Sequence, residues 1–175
     1  MTHQNWVKNQ TGMLASFPMG TPLPSTKEIM DELLLMEYDS AGVDEKMNAA
    51  VRRATVQLRR WSIEGLVHND AAKIVNLAGS IPDSATRGMV VEWIKKATRR
   101  PAPITRIGDD KFYIPSSSSG FARVHLASEF DCDCRAGMGQ RHVVCWHTVV
   151  VRAITNAMVA KALRDAHGVD KASTK

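Results

Sequence analysis

The sequence predicts an α+β fold: an N-terminal bundle of four helices, then a small hairpin-and-helix unit. Three observations predict it. Through residues 25–100 apolar side chains recur at three- and four-residue spacing, the period of helices with one buried face. Beyond Pro101-Ala102-Pro103 the pattern changes to short runs of β-formers around Gly108-Asp109-Asp110, which signals a hairpin. The chain has 175 residues and 3 cysteines, and all three cluster late, at Cys132, Cys134 and Cys145, with His147 close behind.

Residues 1–24 read as a flexible tail, because Pro18, Gly20, Pro22 and Pro24 interrupt any period. Ser25-Thr26-Lys27-Glu28 is a capping box, with Ser25 as N-cap and Glu28 reaching back. Ile29, Met30, Leu33, Leu34 and Met36 carry the first helix to about Tyr38, and Asp39, Ser40 and Gly42 end it. The second and longest helix runs from Asp44 to about Leu66. Met47, Val51, Ala54, Leu58 and Trp61 alternate by four and three and form one seam. Arg52, Arg53, Arg59 and Arg60 repeat at seven on roughly the opposite face. They form either a solvated face paired to nearby acids or a row of guanidiniums suited to phosphates. A short third helix is expected from Ala71 to Ala78, closed by Gly79. A fourth opens at Pro82-Asp83-Ser84 and ends before Pro101. Its last turns carry Lys95, Lys96, Arg99 and Arg100, which complement the helix dipole and also offer a basic patch.

In the hairpin, Ile104–Ile107 and Lys111–Pro115 flank the Gly108 turn. Ser116–Ser119 and Gly120 make a longer loop. Phe121–Leu126 alternates, with Ala122, Val124 and Leu126 on one face and Arg123 and His125 on the other. Then comes C-x-C, ten residues, and C-x-H. Three thiolates and an imidazole are a common tetrahedral zinc set, and four protein ligands leave no position for water. One structural Zn²⁺ is therefore expected on Cys132, Cys134, Cys145 and His147. Gly137 and Gly139 give the intervening loop the freedom to return to one point. Asp131, Asp133 and Arg135 are too polar for a plain core segment. His125 and His142 are the rival nitrogen ligands nearby. The final helix is expected from Thr148 to His167, capped by Gly168, with Val150, Val151, Ile154, Ala157, Met158 and Ala162 facing inward.

The C-x-C-x10-C-x-H pattern, with a hairpin before it and a helix opening at its end, resembles the SWIM-type zinc finger over about residues 103–158. The resemblance implies a small finger folded around its metal and favours His147 over His142 as the fourth ligand. It also implies a DNA- or protein-binding role rather than catalysis. Trp146 stands where that family often has Lys, and Met138 is the residue nearest an expected aromatic. Residues 1–100 resemble no family. The expected organisation is a tail over 1–24, a helical domain over 25–100, a finger domain over 101–168 and a tail over 169–175.

The composition fits a globular chain. Its 44% hydrophobic and 23% charged residues are ordinary. No apolar run approaches the length of a membrane span, and residues 1–20 contain no signal-like apolar stretch. Thiolate ligands imply a reducing compartment, the cytoplasm or the nucleoid or nucleus. Net charge is +5, mildly basic, which permits a nucleic-acid partner without requiring one. No phosphate-cradling loop, nucleophile elbow or carboxylate pair suggests an enzyme. The resemblance to the SWIM-type finger therefore implies a non-catalytic nucleic-acid-binding module, DNA before RNA, contacted through Arg52, Arg53, Arg59, Arg60, Lys95, Lys96, Arg99, Arg100, Arg135 and Arg141. The alternative is an adaptor that docks a DNA-processing protein such as a recombinase or transposase.

Overall fold

A computed structural model of the chain describes residues 13–63, 75–77, 104–115, 124–134 and 144–172. In chain order they form a 3₁₀ turn (Leu14–Ser16), α1 (Thr26–Ser40), α2 (Glu45–Ile63), β1 (Val75–Leu77), β2 (Thr105–Ile107), β3 (Lys111–Pro115), β4 (Val124–Ala127) and α3 (Trp146–Ala172). The mixture of helix and sheet agrees with an α+β class. The expected fourth helix, over 82–100, lies outside the described residues.

Helix α1 begins as its sequence dictates. The Ser25 hydroxyl accepts the Glu28 N–H at 3.2 Å, and the Glu28 carboxylate accepts the Ser25 N–H at 2.8 Å. Both halves of the capping box are therefore present. At its end the Ser40 hydroxyl donates to the Met36 carbonyl at 2.7 Å. Gly42 follows at φ +72°, a left-handed conformation that a side chain would strain. Asp44 then caps α2, its carboxylate accepting the Met47 N–H at 3.0 Å. Asn48 ties the hairpin back, donating to the Glu37 carbonyl at 3.1 Å.

The seam of α2 is buried at Met47, Val51, Ala54 and Leu58. It meets Ile29, Leu33 and Met36 of α1 and the apolar run Val149–Met158 of α3, so three helices enclose one core. Burial of Val51, Leu58 and Ile154 is complete. At about 25 cal/mol per Å² such side chains each contribute about 1.5–3 kcal/mol. The same cluster continues into Ile104, Phe112, Ile114 and Ala127 of the sheet and into the three cysteines.

The sheet has the order β1-β2-β3-β4. β2 and β3 pair antiparallel around the turn at Gly108, φ +62°. β3 and β4 also pair antiparallel, Phe112 facing Ala127 and Tyr113 facing Leu126. β1 pairs parallel with β2, Val75 beside Thr105.

Four expectations are corrected in turn, and the first is that Val75–Leu77 is a strand, not part of a helix over 71–78: β-branched Val75 pairs beside Thr105 of β2, and pairing overrides helix propensity. Residues 13–24 do not behave as a loose tail, because Leu14 and Leu23 are buried in the core. Helix α3 starts two residues before Thr148 and continues past Gly168 to Ala172. From Ala162 to Gly168 the chain is exposed, so Ala162 does not face inward.

Two buried arginines tie the sheet and α3 to neighbouring loops. Arg106 on β2 donates from Nη2 to the carbonyls of Leu14 at 3.2 Å, Phe17 at 2.8 Å and Asp109 at 2.9 Å. A cation at the C-terminal end of the 3₁₀ turn thereby satisfies carbonyls that no helix continues to use. Arg152 on α3 donates from Nε to the Glu129 carbonyl at 2.6 Å and lies over the Phe130 ring.

Candidate metal centre

The four predicted ligands come from two places. Cys132 and Cys134 sit after β4; Cys145 and His147 sit at the start of α3. A tight turn joins β4 to the first pair. The Ser128 N–H donates to the Asp131 carbonyl at 2.8 Å, and the Ser128 hydroxyl accepts the N–H groups of Phe130 and Asp131. Cys132 then pairs back with Ala127 as an isolated bridge.

Asp133 fixes the C-x-C bend. One carboxylate oxygen accepts the Leu126 N–H at 3.1 Å and the other meets His125 Nδ1 at 3.1 Å. The Asp133 N–H in turn donates to the Leu126 carbonyl at 3.2 Å. The residue between the two cysteines is thus the one that holds both to the strand. Its polarity, which set this segment apart from a core run, has a structural purpose.

Cys145 is the residue before α3. Its carbonyl accepts the Val149 N–H at 3.1 Å, so it occupies the N-cap position. Thr148 closes the turn: its hydroxyl donates to the Cys145 carbonyl at 2.8 Å and accepts the Cys145 N–H at 3.3 Å. The thiol of Cys145 therefore lies at the positive end of a long helix, where a thiolate is favoured.

Ligand atoms of Cys132, Cys134, Cys145 and His147 all lie within 4.8 Å of one another, and all four residues are buried. Cys145 Sγ is 3.7 Å from His147 Nδ1. A tetrahedron with Zn–S near 2.3 Å and Zn–N near 2.1 Å has an S···N edge of about 3.6 Å. The residues present fit one tetrahedral ion. The second imidazole nitrogen, Nε2, is buried without a hydrogen-bond partner, so the ring makes no competing hydrogen bond there.

The electrostatics point the same way. The Cys145 thiol is held well below the usual thiol range, first because the Cys132 thiol hydrogen-bonds to it, then through His147 and the Thr148 main chain. The partner thiol, Cys132, is pushed up by that same hydrogen bond and by burial. Burial, the largest effect, lowers the pKa of His147 and keeps it in the neutral form that a metal needs.

His125 packs against His147 with ring centroids 4.6 Å apart, its Nδ1 engaged by Asp133. It is a neighbour of the cluster rather than a member. His142, the other rival, lies outside the described residues. Trp146 is buried, and its ring centroid lies 3.9 Å from that of His147. The set can hold one metal ion with every position filled by protein, an arrangement for structure rather than for activating water.

The expected basic contacts divide into two groups. Arg52, Arg53 and Arg59 are exposed along α2, away from the buried seam. Arg52 pairs with Glu37 of α1 at 3.0 Å. Arg53 and Arg59 have no ion pair among the described residues. The side chain of Arg60, together with Lys95, Lys96, Arg99, Arg100, Arg135 and Arg141, lies outside the described set.

Sequence reasoning missed Thr148, Glu129, Arg106 and Arg152. Thr148, three residues after Cys145, carries a usable signal, because a hydroxyl at the third helical position can close a turn on the N-cap residue. Glu129 and the two arginines carry none, since a charged residue in a strand or helix is ordinarily solvated. Among the described residues no helix is long and apolar enough to cross a membrane. No family model, no curated protein and no solved structure matches this chain.

Proposed function

We propose that this chain is a zinc-stapled, non-catalytic nucleic-acid-binding module, DNA before RNA, whose metal unit is of the SWIM type. The observation that carries the metal half is the closed, buried set of three thiols and one imidazole where a strand turn meets a helix start. The C-x-C-x10-C-x-H spacing and the preceding hairpin favour the SWIM type. The thiolates need a reducing compartment to persist, which makes the cytoplasm or the nucleus or nucleoid the place of action.

Arg53 and Arg59, exposed on one stretch of α2 without acidic partners among the described residues, support the nucleic-acid half. Guanidiniums on a rigid helix give affinity for phosphates without reading bases. Binding of labelled single- and double-stranded DNA and RNA across a salt series tests this. Affinity should fall steeply, with a slope near −0.9 per phosphate neutralised on duplex DNA. Arg53→Glu with Arg59→Glu should weaken binding by at least about tenfold and flatten that slope. Tight binding with a flat slope, unchanged in the double variant, would exclude this surface.

A second reading is an adaptor for a DNA-processing protein. It is favoured by apolar side chains exposed on α1, where Leu35 is 59% and Tyr38 83% accessible. Capture of a partner that survives nuclease treatment and is lost in Leu35→Asp would favour it over the first.

A further inference from the structure

The clamp around Leu14 leads directly to the metal. Leu14, fully buried, is gripped from two sides. Arg106 takes its carbonyl and that of Phe17, and its main chain meets the buried Glu129 side chain, one of whose carboxylate oxygens has no hydrogen-bond partner. Glu129 is itself held through its carbonyl by Arg152 at 2.6 Å. Glu129 lies three residues before Cys132, in the turn that delivers the C-x-C pair. Arg152 lies five residues after His147, on the helix that delivers the C-x-H pair. Glu129 and the Arg152 that holds it therefore lie on the same two segments as the two halves of the ligand set.

We infer that residues 13–24 form a strap whose docking is coupled to occupancy of the metal centre. This inference rests on the metal reading above. An ion shared by Cys132, Cys134, Cys145 and His147 draws the 128–134 turn onto the start of α3 and sets Glu129 against Arg152. With the ion gone, that turn is held by main-chain bonds and by Asp133, and Glu129 is free to shift. A shifted Glu129 leaves the Leu14 main chain and a buried guanidinium short of a partner, a costly state that undocking and hydration relieve. The helical core of α1, α2 and α3 has its own apolar seam and outlasts the change. Loss of the strap uncovers Arg106.

Linkage makes the coupling reciprocal, so a loosened strap must weaken the metal. Two full-length variants test this without touching a ligand: Leu14→Asp and Arg106→Gln, each checked for helical content by circular dichroism. In competition with a chromogenic chelator, each should bind zinc at least about fivefold more weakly than the natural chain. Hydrogen exchange on the natural chain should show residues 13–18 losing protection on chelation while 29–36 and 47–58 keep theirs. Unchanged zinc affinity in folded variants would overturn the inference, and so would a strap still protected after chelation, or one lost only together with the helices. If the variants fail to fold, the exchange experiment alone decides. A natural chain that takes up no zinc fails the metal reading itself, and the coupling with it. Normal uptake with indifferent variants fails the strap alone.

Discussion

At the scale of single residues, the chemistry concentrates in side chains next to the ligands. Thr148 bonds both main-chain groups of Cys145 and so sets the angle of the C-x-H turn. Thr148→Val keeps the shape and removes the hydroxyl. Zinc affinity should drop about tenfold or more, as is usual for supporting residues around a metal, and chelator competition measures it. Glu28 gives a pH test. The Ser25 N–H is the chief cause that holds its carboxyl below the ordinary value, opposed by some burial. A carboxyl with a depressed folded pKa adds stability that is complete above the unfolded value near 4.5 and is lost as pH falls through the folded value. Glu28→Ala should therefore cost roughly 0.5–1 kcal/mol at pH 7, and the gap to the natural chain should narrow in acid, as urea melts at both pH values would show. The ligands and the capping box were legible in the sequence because each is a local pattern of residue types at fixed spacing. Arg106 and Glu129 were not, because burial of a charge depends on what the distant segment around Leu14 supplies.

At the scale of elements, periodicity located α1 to within two residues and the start of α2 to within one, and Met47, Val51, Ala54 and Leu58 of its four-and-three alternation are buried. The short strand β1 was misread, since Val75–Leu77 is decided by pairing with Thr105–Ile107, a partner beyond local pattern. The polar tract at β4 was half legible. Val124 is buried as its alternation implies, but Ala127 turns inward because the chain bends to bring Cys132 back beside it. The weight of the helical seam predicts the cost of breaking it. Leu58→Ala removes a side chain with no solvent exposure and should destabilise by about 2–5 kcal/mol in denaturant melts. Val56→Ala, on the exposed side of the same helix, should stay within about 0.5 kcal/mol. Similar losses at both positions would contradict the placement of α2.

At the scale of the whole molecule, one apolar cluster runs from Leu14 through three helices and the sheet to the cysteines. The helices can hold together by burial alone. The sheet is short, four strands of three to five residues, and needs a staple to the helix beside it. Metal removal should therefore lower the melting temperature and cost strand signal first, with most helical signal retained until higher temperature. The most direct test is X-ray absorption at the zinc edge on protein reconstituted with stoichiometric zinc. The account predicts one ion per chain with three sulfurs near 2.3 Å and one nitrogen near 2.0–2.1 Å. A first shell dominated by oxygen, or no retained zinc at all, would contradict it.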